Sequence, residues 1–350
     1  MSLKVAPHET KEDLCKTSID ILIAKCTEWF HRQEISGTLW FADSSQPFPY
    51  QNDETLNIVL FGGFLKRFLE SGNWDFSNAK FWVLSHSVRD VLSQLLGLGY
   101  DHIGVIPRYE LFPVNPVLNT FPSLQETTTF VFAGRISNVK NIKMLLETVS
   151  SLQTNQNCPV QLALIGNYDN QIHLDQGRFD HVDYQSDIEN LIQKLPWKVP
   201  PSLHAKVGSE QWPRMSFKNP IYVNLSTFMC EDFDVSTAQA QSLGWPCLVS
   251  DWGGHQEVIG SNVIKVPPSS IAHDHEPNEV RQIKATALAK SLCDSFLQKT
   301  QRVSGPGLIN PQALSQGELD SCRRSFISKY KDGISLASVS YTHLTLPTKA

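Results

Sequence analysis

The stretch Cys230-Glu231-Asp232-Phe233-Asp234-Val235, with Trp245-Pro246-Cys247-Leu248-Val249-Ser250-Asp251-Trp252-Gly253-Gly254-His255-Gln256-Glu257-Val258-Ile259 just after it, decides the fold. It reads as an acidic loop, a helix, a Gly-x-Pro turn at Gly244-Trp245-Pro246, a buried strand and a glycine pair. That order sets a carboxylate and two close-approach glycines at one end of an open sheet. In open α/β sheets, ligands bind outside the carboxyl ends of the strands.

Outward from this stretch, apolar runs alternate with helical patterns. Residues 17–32 place Ile19, Ile21, Leu22, Ile23, Cys26, Trp29 and Phe30 at helical spacing. Thr38–Ala42, Lys80–Ser85 and Ile103–Pro107 read as strands, with a helix over Val88–Leu96. Leu56–Leu69 reads as a helix interrupted by Gly62-Gly63. Leu111–Thr128 holds three prolines and many small polar residues and reads as a linker. Beyond it, strands are expected at Phe130–Ala133, Val160–Ile165, Ile221–Leu225, Cys247–Ser250 and Val263–Val266. Alternating strands and helices predict parallel sheets covered on both faces. The expected units are 1–125, 126–300 and a helical segment over 301–338. Residues 339–350 read badly as structure and resemble a translated sequencing adapter.

Composition excludes some classes. A formal net charge of -5 over 350 residues gives no bulk attraction to nucleic acid or anionic lipid. The seven cysteines include no C-x-x-C pair, which favours reduced thiols and a cytoplasmic setting. No basic-then-apolar leader opens the chain, and no run of 18 apolar residues occurs. Asn224-Leu225-Ser226 matches a glycosylation sequon but lies in an apolar strand pattern.

The opening stretch resembles the nucleotide-sugar signature of GT-B glycosyltransferases of the family 4 type, roughly E-G-F-G-x(4)-E-A-x(3)-G-x-P-V-(V/I)-x-(S/T)-D-x-G-G-x-x-E. Glu231, Phe233, Ala240, Gly244, Pro246, Val249, Ser250, Asp251, Gly253, Gly254 and Glu257 keep it. Asp234 stands where the second glycine is usual, and Gln239 where the second glutamate is usual. Gly134-Arg135 and Lys140-Asn141 match the family's G-R-x(4)-K-(G/N). The resemblance implies two Rossmann-like α/β domains with parallel sheets facing a cleft, the first domain short or incomplete. It implies a retaining glycosyltransferase that takes a nucleoside-diphosphate sugar and passes the sugar to a carbohydrate, lipid or small-molecule acceptor.

The same resemblance implies residue roles. Arg135 and Lys140 would hold the diphosphate, whose charge rises as the sugar leaves; an arginine grips such a group bidentately and a lysine adds a point charge. Glu231 would lie near the donor sugar. Gly134, Val235, Ser236, Gly253 and Gly254 would line the donor, and Gln239 would keep a weakened ribose contact. Asp234 would crowd or repel a phosphate, or bond a sugar hydroxyl. Simpler readings stand beside these: a surface ion pair for Arg135, a helix-start acid for Glu231, a buried polar residue for Gln239, hydroxyl caps for Ser236 and Thr237 and a bare turn for Gly253-Gly254. Glu257 reads as structural, His86 as a minor acceptor-side candidate, and His273-Asp274-His275-Glu276 as a solvated loop. No metal and no cofactor beyond the donor substrate are expected, nucleic acid is not an expected partner, and contact with the inner face of a membrane is left open. Asp234, Gln239 and the short first half motivate a second reading: a non-catalytic relative that binds nucleotide or glycan, or supports a partner enzyme. A nucleotide-sugar epimerase is a third reading, but no convincing acid/base set for one is found.

Overall fold

The computed structural model describes residues 3–5, 16–42, 56–60, 79–115, 120–169, 183–205, 207–228 and 231–302. Two parallel sheets follow one another along the chain. The first has the order β1-β2-β3-β4-β5, from β1 (Leu3–Val5), β2 (Gly37–Ala42), β3 (Leu56–Leu60), β4 (Ala79–Val83) and β5 (Ile103–Val105). The second has the order β11-β10-β9-β6-β7-β8, from β6 (Thr128–Ala133), β7 (Val160–Ile165), β8 (Ser202–His204), β9 (Pro220–Asn224), β10 (Cys247–Ser250) and β11 (Val263–Val266). All the pairings among them are parallel. In the second sheet the chain runs from β6 outward through β7, then crosses back to β9 on the other side of β6. The switch point thus falls between β6 and β9, where such sheets bind ligands.

Period-two alternation explains how each strand serves two layers. In the first sheet, Trp40, Ile58, Phe81 and Val83 pack on one face with Val88, Val91 and Leu92 of α2 (His86–Leu96). Leu39, Phe41, Val59 and Trp82 pack on the other with Leu22, Cys26, Trp29 and Phe30 of α1 (Lys16–Arg32). In the second sheet, Phe130 and Phe132 meet α4 (Ile142–Thr154) and α7 (Asn278–Arg302), and Tyr184 and Ile188 of α5 (Tyr184–Lys194) join the same cluster. Val131 and Ala133 face Trp212, Tyr222 and Trp245 on the opposite side. Arg281 of α7 pairs with Glu147 of α4 at 3.1 Å, and both are buried.

The expected helix at Leu56–Leu69 is corrected in its first five residues. These form β3, a strand between β2 and β4, and residues 61–69 lie outside those described. A run of five apolar-rich residues buried on both faces has no period of its own, so spacing does not separate strand from helix there. Just before the expected linker, Arg108–Leu111 forms a short helix, α3, after Pro107. From residue 303 onward, including the 339–350 tail, the chain lies outside the described residues, and α7 runs on to Arg302. The His273–Glu276 segment is not a solvated loop throughout. Asp274 is buried, accepts from the Lys143 backbone N–H at the start of α4 at 3.1 Å and bonds the Tyr184 hydroxyl. Asn224, in the sequon, is buried on β9.

The two halves share their cores. Trp252, after β10, packs in the first sheet's cluster with Trp40, Ile58 and Phe81, and its indole N–H donates to Phe228 O at 2.8 Å. Phe233, Val235 and Ala238 join the cluster on the other face of that sheet, with Phe233 against Phe112 at 5.5 Å between centroids. Truncating such a buried aromatic forfeits transfer energy and leaves a cavity. Phe233→Ala is therefore expected to lower unfolding free energy by about 3–5 kcal/mol, read as a shift of the urea midpoint. A loss below about 1 kcal/mol is incompatible with this packing.

Candidate functional site

The carboxyl ends of β6, β9 and β10 converge on the start of α6 (Val235–Ser242). Gly134-Arg135 follows β6, the loop to Asp234 follows β9, and the Gly253–Glu257 turn follows β10. Arg135, Glu231, Asp234 and Glu257 lie on these three segments, and Lys140 on the Asn138–Lys140 turn before α4.

The glycine pair is explained by the protein's own backbone. Gly253 has φ +54°, and a Cβ there would lie 2.4 Å from Glu231 O. A Cβ on Gly254 would lie 1.3 Å from Asp232 O, and the Gly254 N–H donates to Glu231 O at 2.8 Å. The two glycines thus let the turn after β10 press onto the acidic loop, with no room for a side chain between them. Asp232 also departs from the signature, at its first glycine. Its carboxylate accepts from the Ser85 hydroxyl of the first half at 2.6 Å.

Glu231 is 5% exposed and forms an ion pair with Lys140 at 2.5 Å. Burial pushes its carboxyl up, but the charges of Lys140 and His255 outweigh that and leave it below the usual carboxylate range. Arg135 pairs with Asp169 at 2.6 Å, the carboxylate buried and the guanidinium side chain 22% exposed. The structure thus brings Lys140 and Glu231 together and gives Arg135 a separate carboxylate, which spacing alone does not reveal. Asp169 carries no sequence signal beyond lying just past β7; its backbone N–H donates to Ile136 O at 3.0 Å, which ties it to the residue after Arg135.

Asp234 takes a left-handed conformation, φ 48° and ψ 84°, at the N-cap of α6. A glycine adopts this freely, and aspartate is one of the few side chains that tolerate it. The carboxylate turns inward. It accepts from the Thr237 backbone N–H at 3.4 Å, the Thr237 hydroxyl, the Asn224 amide at 2.8 Å and His255 Nε2 at 3.0 Å. Burial raises its pKa, but the bond and charge of His255, the Lys140 charge and the Thr237 hydroxyl hold it well below the carboxylate range. One backbone N–H of the first turn of α6 is thereby spent on Asp234. Val235 and Ser236 are buried beside it. Gln239 has both ends of its amide engaged: Oε1 accepts from the Trp212 indole at 3.0 Å and Nε2 donates to Ser209 O at 2.7 Å.

Three residues carry no signal in the sequence. His255 is fully buried between Ser250 and Asp234. Arg108 reaches from α3 into the loop before α6, donating to Phe233 O and to Asp234 O (3.1 Å), with its guanidinium 4.6 Å from the Phe233 ring centroid. Tyr109 donates to Glu257 O and accepts from Ile259 N–H, both at 2.7 Å. His86 and Glu257 are placed together: the His86 backbone N–H donates to the Glu257 carboxylate, and Nδ1 lies 3.2 Å from it. Glu231, Asp234 and His255 bring ligating atoms within 4.8 Å of one another. Lys140 supplies a cation to that group from within the chain.

Two expectations follow. Asp234 and Glu231 have depressed folded-state values, so the stability they add is present above the unfolded carboxylate range near 3.9–4.3 and is lost as pH falls below it. Asp234→Asn is expected to be less stable than the natural chain at pH 7, with the gap closing below about pH 4, measured by urea midpoints across that range. For Gln239→Glu, the carboxylate has no proton to give Ser209 O. A loss of about 1–3 kcal/mol is expected, read by thermal unfolding; a gain would place the side chain elsewhere.

Residues 120–275 match the family described as glycosyl transferases group 1. No curated protein matches the chain. Among solved structures, the apo lipopolysaccharide outer core galactosyltransferase WaaB aligns at 15% identity and a TM-score of 0.48, over 93% of this chain and 81% of its own. The pneumococcal O-GlcNAc transferase GtfA, in complex with UDP and GlcNAc, aligns at 13% and 0.44, over 89% and 55%. A structure described as trehalose-6-phosphate from E. coli, bound with UDP-2-fluoro glucose, aligns at 10% and 0.43, over 98% of each chain. The chain spans 55%, 59% and 57% of the length of GtfA, the GtfA/B complex chain and TarM. Two parallel sheets thus stand in series in the GT-B arrangement, and residues 120–275, which hold most of the second sheet, are similar to the glycosyl transferases group 1 family.

Proposed function

We propose that the chain is a retaining glycosyltransferase that binds a nucleoside-diphosphate sugar at the carboxyl edge of its second sheet. The observation that carries this reading is the pair of cations, Arg135 and Lys140, at the ends of segments that leave the switch-point strand β6. Each is held in place by a buried carboxylate, Asp169 and Glu231. A cation fixed before the ligand arrives stabilises developing phosphate charge without reorganising, which is how electrostatic preorganisation lowers a barrier. The Arg135 side chain is 22% exposed, and in this reading a diphosphate would meet it while Asp169 holds it. Glu231, which the glycine turn fixes by its carbonyl, offers the sugar side of the donor a carboxylate kept ionised by Lys140. The acceptor, a carbohydrate, lipid or small molecule, would enter from the side of the first half. No helix among the described residues is long and apolar enough to cross a membrane.

A specific set of contacts favours the second reading, a non-catalytic relative. Gln239 is engaged by Trp212 and Ser209, and the first half docks on the acidic loop through Ser85 and Arg108. Nucleotide binding without transfer or hydrolysis would select it.

The test is a thermal-shift series with UDP, GDP, ADP and their monophosphates. A stabilisation that needs the diphosphate is expected, and Arg135→Ala is expected to weaken that binding by about 2–5 kcal/mol. Unchanged affinity in a folded Arg135→Ala variant rejects the site.

A further inference from the structure

His255 and Asp234 form a unit that neither the signature nor the family match supplies. His255 is fully buried in the turn after β10. Its Nδ1 lies 2.8 Å from the Ser250 hydroxyl, and its Nε2 lies 3.0 Å from Asp234 Oδ2. The Ser250 hydroxyl also bonds Ser226 O. A carbonyl oxygen only accepts, and a hydroxyl has one proton to give. That proton goes to Ser226 O, so the hydrogen on the Ser250–His255 bond comes from Nδ1. On the other side, Asp234 already accepts from Asn224 and Thr237. It acts there as a carboxylate, and an ionised carboxylate only accepts. The hydrogen on that bond comes from Nε2. Counting donors and acceptors therefore puts a proton on each ring nitrogen.

We propose that His255 is held as an imidazolium and serves as a positioning residue. Its charge cancels the carboxylate that Asp234 introduces at the helix start, where an anionic diphosphate would bind. The ligand half of this proposal rests on the nucleotide-sugar reading above; the charge half does not. An aspartate at a helix N-cap favours the helix but repels an approaching anion. With His255 charged, Asp234 keeps its capping bonds and presents no net charge. The charged and titratable groups around the pair are Glu231, Lys140, Asp251, Arg108, Tyr222 and Cys247; Arg108 binds the Asp234 backbone carbonyl at 3.1 Å, not its carboxylate, and the Tyr222 hydroxyl lies 3.5 Å from Oδ2. Glu231 and Lys140 neutralise each other. Burial raises the Asp251 carboxyl, with Lys265 and His255 pulling it back. The arrangement also gives a reason for an acid where the family has glycine: the backbone conformation accepts it, and the partner charge is two segments away.

The experiment uses the full chain with 15N-labelled histidine. A His255→Gln variant identifies the His255 ring resonances among those of the 11 histidines. At pH 7, two protonated ring nitrogens are expected for His255; one protonated and one bare nitrogen overturns the charge assignment. Affinity for UDP, GDP and ADP is then compared across His255→Gln, Asp234→Gly and the double variant. His255→Gln is expected to weaken the best of these by about tenfold or more, since it leaves one uncompensated like charge near the ligand. Asp234→Gly is expected to bind at least as tightly as the natural chain, and the double variant to return to the Asp234→Gly level. A double variant as weak as His255→Gln, from folded protein, overturns the compensating role and leaves His255 a packing residue. If no nucleotide binds even the natural chain, the nucleotide-sugar reading fails, and with it the ligand half. The ring-nitrogen spectrum still decides the charge.

Discussion

The contact on which the rest depends is the descent of Gly253 and Gly254 onto the carbonyls of Glu231 and Asp232. With Cβ positions 2.4 and 1.3 Å from those oxygens, any other residue would force the two segments apart. Because they meet, the strand end at Ser250 and the start of α6 lie close enough for His255 to reach Asp234. The carboxylate of Glu231 is then fixed beside Lys140. Two opposite-charge pairs are thereby buried within one small volume. Such burial is tolerable only when each charge has a close partner and its remaining hydrogen-bonding capacity is filled, and the donors from Asn224 and Thr237 fill it for Asp234.

The same contact sets how the halves join. Trp252 precedes the glycine pair and is carried into the first sheet's core, while Phe233 and Val235 flank Asp234 and are carried into the cluster on the other face. The first half answers with polar groups on the loop's backbone: Arg108 on the carbonyls of residues 233 and 234, and Ser87 on Gly253 O at 3.2 Å. The donor-side loop is therefore shaped from both sides. A change in the first half can alter charges in the second without touching them, since the guanidinium of Arg108 holds the carbonyl of the residue whose side chain meets His255.

Much of this is legible in the sequence, and what is not has physical reasons. The inner strands β2, β4, β6, β7, β9 and β10 announce themselves as short apolar runs, because parallel strands are covered on both faces. β3 looks the same but sits in a longer apolar stretch, where periodicity does not tell strand from helix. β1 and β8 are three-residue edge strands, too short to carry a pattern. At the site, Glu231, Lys140 and Arg135 stand out by their match to the family signature, whereas Asp169 and His255 do not. Asp169 lies 34 residues from Arg135, and His255 lies 21 from Asp234. Partnerships of that kind are made by the topology of the sheet, which returns distant strand ends to one edge.

Asp234 shows the limit most clearly. Taken from its position alone, an acid in place of glycine argues against an anion site, because a side chain added there is expected to face the ligand. The glycine, however, serves a backbone angle as well as an approach. At φ 48° the aspartate keeps the angle, and its side chain swings back to cap the helix and meet a buried histidine. Whether such a substitution blocks a site or merely rewires it depends on where its charge is returned to neutrality, and here the neutralising group is carried by the turn that the glycine pair brings into place.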